Sequence, residues 1–450
     1  MIGSRLVEWD NRHLWHPFTQ MSDWLREEPL VIAEAEGCWL VDAQGRRYLD
    51  GVSSLWCNVH GHRHPALDAA LRAQIERVAH TTMLGLGSVP AIELAHALVD
   101  VVPPGLTRVF YSDAGATAVE AALRIALQYQ HLRGATSRTR FASLVEAYHG
   151  DTLGAVGVGY SETFHRFVER AVQPAVRLTP PHIFRWQRGM EADAALAAAV
   201  AEAERTLAEH GDELAAVIVE PLVQGAAGMW IHPPEYLRAL HGLARRYGAL
   251  FIADEVATGF GRTGRMFACE HAGITPDLLC LAKGISGGYL PLAATLATEE
   301  VFAAFLAPYE EFRAFFHGHT YTGNALACAV GLASLAVFTE ERTLERLQPK
   351  VARIRERLAA EIVPLPHVGD VRQQGVMVGI ELVTDRAART PYPPAARIGQ
   401  RVVRAARARG VVLRPLGNVI VLMPPLAIAP SELELLLDVA RDAILEATAG

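Results

Sequence analysis

Two residues near the middle of the chain carry functional groups that an ordinary strand end does not need. Asp254 closes the apolar run ALFIAD, and Lys283 closes LLCLAK 29 residues later. A lysine is almost never fully buried without a partner. Lys283 therefore either marks where a strand reaches water or is held in a pocket, where burial lowers its pKa and frees the amine to attack a carbonyl. Asp254 heads the glycine-rich stretch DEVATGFGRTG. A carboxylate there can bind a metal, cap a turn or pair with a protonated ring nitrogen. Its neighbour Glu255 should point the other way if the strand continues, and no further acid or histidine stands at metal-ligand spacing.

Two more stretches could serve the same chemistry. In SDAGATAVE, 112–120, a strand ends, a glycine turn follows and a helix begins. A helix N-terminus offers free N–H groups and a positive dipole end to a phosphate; the alternative is a plain βα turn that uses Gly115 for backbone freedom. In EAYHGDT, 146–152, Tyr148 stands just past a strand, where it can stack on a planar ring or simply pack a loop. Phosphate cup, stacking aromatic, strand-end aspartate and strand-end lysine together make up what pyridoxal phosphate requires. The lysine forms the Schiff base, and the aspartate keeps the pyridine nitrogen protonated so that the ring can accept electrons.

The elements that would hold these residues follow from the hydrophobic pattern. RVFYSD, FASLV, AAVIVEP, ALFIADE, LLCLAK and PLAATLAT read as strands. Between them lie helical stretches at 115–130 (with Val119, Ala122, Leu123, Ala126 and Leu127 on one face), 191–210 and 233–248. Almost wholly apolar strands alternating with helices predict an α/β fold whose mostly parallel sheet is covered on both faces. Ligands bind such sheets at the C-terminal strand ends, where Asp113, Asp254 and Lys283 all fall. After about residue 335 the pattern becomes helix, strand, helix, two short strands and helix, a smaller α+β unit. The boundaries expected are an N-terminal segment, 1–65, that serves the small domain and the site, a large domain, 66–335, and a small domain, 336–450.

DEVATGFGRTG with a glycine-flanked lysine about 30 residues on resembles the signature of the class III (ω-type) aminotransferases, pyridoxal phosphate enzymes of fold type I with a seven-stranded sheet. RHLWHPFTQM, GVSSLWCNVHGHRHP, VQGAAGM, FHGHTYTGN and RPLGNVIVLMPPL resemble, more narrowly, the diaminononanoate synthases of biotin synthesis. That family converts 8-amino-7-oxononanoate to 7,8-diaminononanoate. The resemblance implies Lys283 as the Schiff-base lysine, Asp254 as the pyridinium partner and Tyr148 as the ring-stacking tyrosine, with Val256 on the opposite ring face. Gly115 and Ala116 match the phosphate cup, although serine is usual at 116, so one hydroxyl donor is lost. Thr320, with His319, matches a phosphate contact made by a second subunit, which implies a homodimer. Gly318 would lie beside the substrate, and Arg414 would hold its carboxylate in a bidentate grip. Phe18 stands where members that use S-adenosylmethionine as amino donor carry tyrosine, and Leu55-Trp56 where they carry two tryptophans. An aromatic face suits a sulfonium, so the substitutions favour L-lysine as donor. A broad ω-amino acid or diamine:pyruvate transaminase is the alternative.

Bulk properties exclude other classes. A length of 450 residues exceeds one compact core, and 51% hydrophobic with 20% charged residues is a globular composition. The net charge of −7 gives no reason to expect nucleic acid or an anionic membrane as partner. The arginines of RVVRAARARG fall at helical spacing and read as a solvated helix face. The five scattered cysteines, Cys38, Cys57, Cys269, Cys280 and Cys328, form no C-x-x-C pair. They predict no disulfide framework, no zinc site and a reducing compartment. With no signal-peptide core at the start and no long apolar span, a cytoplasmic protein is expected.

Overall fold

The computed structural model describes residues 2–449. Seven strands form the central sheet: β1 (Leu106–Ser112), β2 (Arg140–Leu144), β3 (Val176–Leu178), β4 (Leu214–Val219), β5 (Leu250–Asp254), β6 (Leu278–Leu281) and β7 (Ala293–Thr298). Their spatial order is β1-β7-β6-β5-β4-β2-β3. β7 runs antiparallel to both of its neighbours, and the remaining pairs are parallel. This is the α/β architecture read from the sequence. Every residue of β4, β5 and β6 is buried, as continuous apolar runs require when helices cover both faces.

One covering helix, Gly115–Leu132, buries Ala118, Val119, Ala122, Leu123 and Ala126 against Ile252, Leu278 and Cys280. Its alanines let the helix axis approach the sheet closely. The longer side chains each stabilise by about 1.5–3 kcal/mol on full burial. The opposite face is covered by Ala192–His210 and Pro234–Arg246, which bury Leu207, Tyr236, Leu237 and Leu240. Proline at its first position and a glycine just beyond its end bound the second of these helices.

The C-terminal part forms its own antiparallel sheet from Val368–Gln374, Met377–Asp385, Thr390–Pro391, Arg414–Leu416 and Val419–Leu422. The N-terminal strands Ile32–Glu36, Trp39–Asp42 and Arg47–Asp50 complete a separate sheet only with Val411–Val412, which pairs in parallel with Arg47–Asp50. The two ends of the chain are thus stitched together beside the central sheet. The helix that leads into the C-terminal sheet, Thr343–Arg357, ends in a π-helical turn, Leu358–Ile362. The arginine-rich helix Ile398–Ala408 is not simply solvated. Arg404 pairs with Glu27, and the flanking Arg397 and Arg409 pair with Asp23 and Glu446. Among the described residues no helix is long and apolar enough to cross a membrane, and no cluster of His, Cys, Asp and Glu has the makings of a metal site.

Candidate active site

A cavity of ≈ 680 Å³ opens at the C-terminal ends of the parallel strands. In the β5–β6 register Asp254 stands opposite Cys280, and Lys283 follows three residues later. Adjacent strand ends therefore deliver the carboxylate and the amine into one space, which both residues line. Lys283 has a left-handed backbone, φ 48°, a conformation a non-glycine residue holds at a cost and typical of functional positions. The glycines after it serve close packing. At Gly288 (φ 86°) a Cβ would sit 3.0 Å from the Asn58 backbone, so the chain can pass there only without a side chain.

The Lys283 amine lies 5.1 Å from the centre of the Trp56 ring, a cation–π distance. Burial lowers its pKa below the usual lysine value, while the nearby Asp254 and Glu220 carboxylates resist that shift. Asp254 is itself fixed. Its Oδ2 is 2.7 Å from His149 Nδ1, and its Oδ1 accepts the Val256 N–H at 3.0 Å. Glu255 does turn away from the cavity. It accepts the N–H groups of Ala268 and Cys269 and the Thr258 hydroxyl, anchoring the loop that follows. Arg262, in the same loop, is fully buried. It donates to Ser53 Oγ, Asn58 O and Pro424 O, tying that loop to the Trp56 segment.

Tyr148 donates its hydroxyl to Asp151 Oδ2 at 2.8 Å. Burial and then that carboxylate hold the phenol well above the usual tyrosine range, so it stays protonated. Gly115, Ala116 and Val256 line the same cavity. As the first residues of the helix, Gly115 and Ala116 have N–H groups without intrahelical acceptors. A Cβ on Gly115 would lie 2.6 Å from Val256 Cγ1, so the glycine leaves a slot between helix start and valine.

These features fit pyridoxal phosphate. His149 and Trp56 line the cavity, and their Nε2 and Nε1 are buried with no protein partner. An unpaired helix N-terminus suits the phosphate. A carboxylate set at a strand end suits a ring N–H, and the amine suits an aldehyde carbon.

Other residues expected at the site stand outside the cavity lining. Phe18 and Leu55 are 57% and 49% exposed; Phe18 packs edge-on against Phe164 at 5.5 Å. Gly318, His319 and Thr320 do not line this chain's cavity. His319 Nδ1 is instead 2.6 Å from Asp113 Oδ1 of the same chain. Arg414 lies near Tyr148, burial lowers its pKa, and its Nε is buried without a partner. One residue the sequence did not single out is Glu220, which lines the cavity and accepts the N–H groups of Tyr148 and Gly225 at 3.0 and 2.9 Å. Burial pushes its carboxyl up to about 7, against the pull of His149. Its only sequence signal is an acid ending the apolar run AAVIVE. His149 likewise carried no more signal than its place beside Tyr148.

Comparison with known proteins gives concordant results. The family described as aminotransferase class-III matches residues 21–444. The chain is 57% identical over 447 residues to an adenosylmethionine-8-amino-7-oxononanoate aminotransferase of Nitratidesulfovibrio vulgaris, covering 99% of this chain and 82% of that one. It is 49% identical to the protein of the same name from Geobacter sulfurreducens, covering 99% and 98%. The crystal structure of that aminotransferase from Methanocaldococcus jannaschii superposes with a TM-score of 0.94 at 43% identity, covering 99% of each chain. An (S)-enantioselective omega-transaminase from Thermomicrobium roseum superposes equally well, TM-score 0.94, at 36% identity over 99% of each chain.

Proposed function

The chain belongs to the class-III aminotransferases, pyridoxal phosphate-dependent enzymes, and from that premise we propose that it aminates 8-amino-7-oxononanoate to 7,8-diaminononanoate. The observation that carries the reading is the pairing of Lys283 and Asp254 on adjacent strand ends, with Arg414 half-buried beside Tyr148 and its Nε unpartnered. A guanidinium left open at that depth awaits a carboxylate, and the proposed acceptor ends in one. Relatives at 57% and 49% identity that bear this substrate's name support the choice.

Pyridoxal phosphate, when bound, supplies the electron sink that stabilises a carbanion at the carbon bearing the amine. The chain's own residues do the rest. Lys283, with its lowered pKa, is the base that takes the proton from the substrate carbon and returns it elsewhere. Asp254, held by His149 and the Val256 N–H, would meet the ring nitrogen of the bound cofactor. Gly115 and Ala116 present their N–H groups to the phosphate. Tyr148 and Val256, which line the cavity, would confine a bound ring. Because the Tyr148 hydroxyl donates to Asp151, its lone pairs are left to accept from a substrate ammonium. Arg414 fixes the far carboxylate and Trp56 walls the substrate space.

S-adenosylmethionine is the donor the relatives' names favour. L-lysine is the second reading, favoured by Phe18 and by Leu55 beside Trp56. The assembly is a homodimer. Exposed Leu84 (85%), Leu86, Val89, Ile92, Phe316 and Tyr321 belong to two segments joined where His80 Nε2 meets Thr320 O at 2.8 Å, an apolar face of the kind that marks an interface. Thr320 would then serve the partner's phosphate. The division into 1–65, 66–335 and 336–450 is supported by a seven-stranded sheet confined to 106–298. The five free thiols support a cytoplasmic setting.

The test is the pair of half-reactions. The loaded protein is mixed with S-adenosylmethionine or with L-lysine, the visible cofactor band is followed as it bleaches, and 8-amino-7-oxononanoate is then added. Bleaching by S-adenosylmethionine and recovery with the ketone are expected. Bleaching by lysine alone selects the second donor. Recovery with pyruvate and not with the 8-amino ketone would overturn the biotin reading in favour of a general ω-transaminase.

A further inference from the structure

The segment Arg313–Thr320 is strung along the exposed face of the helix Gly115–Leu132. Gln128 Nε2 donates to the carbonyls of Arg313 and Ala314 at 3.0 and 3.2 Å. Arg124 donates to Phe316 O at 3.1 Å and reaches His317 Nδ1 at 2.7 Å. The last attachment is the Asp113–His319 pair at 2.6 Å, immediately before the start of the helix. Thr117 Oγ1 also reaches Asp113 Oδ1, at 3.2 Å, so the carboxylate is oriented from the helix side. The backbone of the segment is held by a further bond, His319 N to Thr322 Oγ1 at 2.9 Å. The helix whose N-terminus forms one phosphate cup therefore also carries, along its flank, the loop that bears Thr320.

We propose that Asp113 is a positioning residue for the neighbouring subunit's active site: it holds His319, and through it Thr320, at the setting that reaches the partner's cofactor phosphate. This rests on the shared-site reading above. It gives His319 the role of tether, its Nδ1 engaged by a carboxylate of its own chain, and leaves Nε2 for any phosphate contact. A rigid helix joins the two tasks. What orders the first turn in one protomer also sets the loop that completes the other site.

Heterodimers with one live site separate the possibilities. One chain carries Lys283→Ala, so the visible absorbance of lysine-bound pyridoxal phosphate reports only the other chain's site. Asp113→Asn is then placed either in the Lys283→Ala chain or in the live chain, and pyridoxal phosphate is titrated into each apo-heterodimer. The expected result is an apparent Kd weakened roughly fivefold, the loss of one charge-assisted hydrogen bond, when Asp113→Asn sits in the Lys283→Ala chain, and a smaller change when it sits in the live chain, whose own cavity Asp113 also lines. His319→Ala should repeat that asymmetry if Asp113→Asn assembles poorly. Thr320→Ala in the same two placements tests the shared site itself. Asymmetry for Thr320→Ala without asymmetry for Asp113→Asn or His319→Ala overturns the tether and leaves the shared site standing. Weakening only when Asp113→Asn is in the live chain shows that it serves its own cup, and overturns the proposal. Absence of asymmetry for Thr320→Ala overturns the shared site and the tether together.

Discussion

Glu220 should make the fold less stable as pH rises, and replacing it with glutamine should abolish that dependence. The carboxyl is 5% exposed and pushed from 4.5 to about 7, chiefly by burial. In the unfolded chain it ionises near 4.5. Below that pH the group is protonated in both states and costs nothing. Between 4.5 and 7 the unfolded chain loses the proton while the folded one keeps it, so stability falls with rising pH and levels off above 7. The difference between 4.5 and about 7 corresponds to about 3 kcal/mol. Glu220→Gln removes the titration. It also leaves one of the two N–H groups, on Tyr148 or Gly225, facing an amide NH₂, a pH-independent loss of about 1–2 kcal/mol. Absolute stabilities are therefore a poor readout, and the change with pH is the useful one. Urea unfolding of the apo-protein at pH 4.5, 6 and 8 should show the parent losing up to about 3 kcal/mol more than Glu220→Gln across the range. Parallel curves would refute the reasoning. They would mean that the ionised carboxylate is already compensated by Lys283 and the two N–H groups, and that its burial carries no net penalty.

His149→Phe keeps the bulk of the ring but removes the Nδ1 contact to Asp254. Steady-state kinetics should show kcat down by roughly 30-fold for about 2 kcal/mol of lost positioning, with partial recovery in His149→Asn, whose amide can replace Nδ1. Gly115→Ala drives a methyl to 2.6 Å from Val256 Cγ1. Pyridoxal phosphate affinity of the apo-protein should weaken roughly tenfold and recover in the double variant with Val256→Ala; no recovery would place the clash elsewhere. Arg262→Met strips three oxygen acceptors of a fully buried guanidinium and should cost about 3–5 kcal/mol in urea unfolding, with the Trp56 fluorescence environment changed in the native state.

The residues that the sequence made legible are those whose position is set by one strand and its nearest turn. Lys283 and Asp254 each end an apolar run, and parallel pairing of the two runs is enough to bring them together. Gly115 and Ala116 follow from a strand, a turn and a helix in succession. Glu220 went unread although it follows β4 as Asp254 ends β5, with Val219 paired to Ala253. What lay beyond local pattern is the short pair Val223–Gln224 and Trp230–Ile231, which turns the chain back so that Gly225 N reaches Glu220. Its neighbour Tyr148 arrives from 72 residues away. The pairing of His319 with Asp113, 206 residues earlier, was beyond the reach of local pattern. Phe18 and Leu55 were read through the family pattern, and the edge contact of Phe18 with the distant Phe164 is one no local periodicity encodes.

The parallel pairing of Arg47–Asp50 with Val411–Val412 has a consequence for synthesis. Those partners are about 360 residues apart. At 5–20 residues per second the ribosome needs roughly 20 to 70 s to make the second after the first. Through that interval the edge of Arg47–Asp50 is open, and the Trp56 wall that follows it has no completed sheet to rest on. The central sheet, finished by residue 298, can close well before. A nascent chain of this protein can therefore bring its lysine and aspartate together while the substrate wall is still missing, and chaperones that shield an open strand edge would matter until Val411–Val412 emerges.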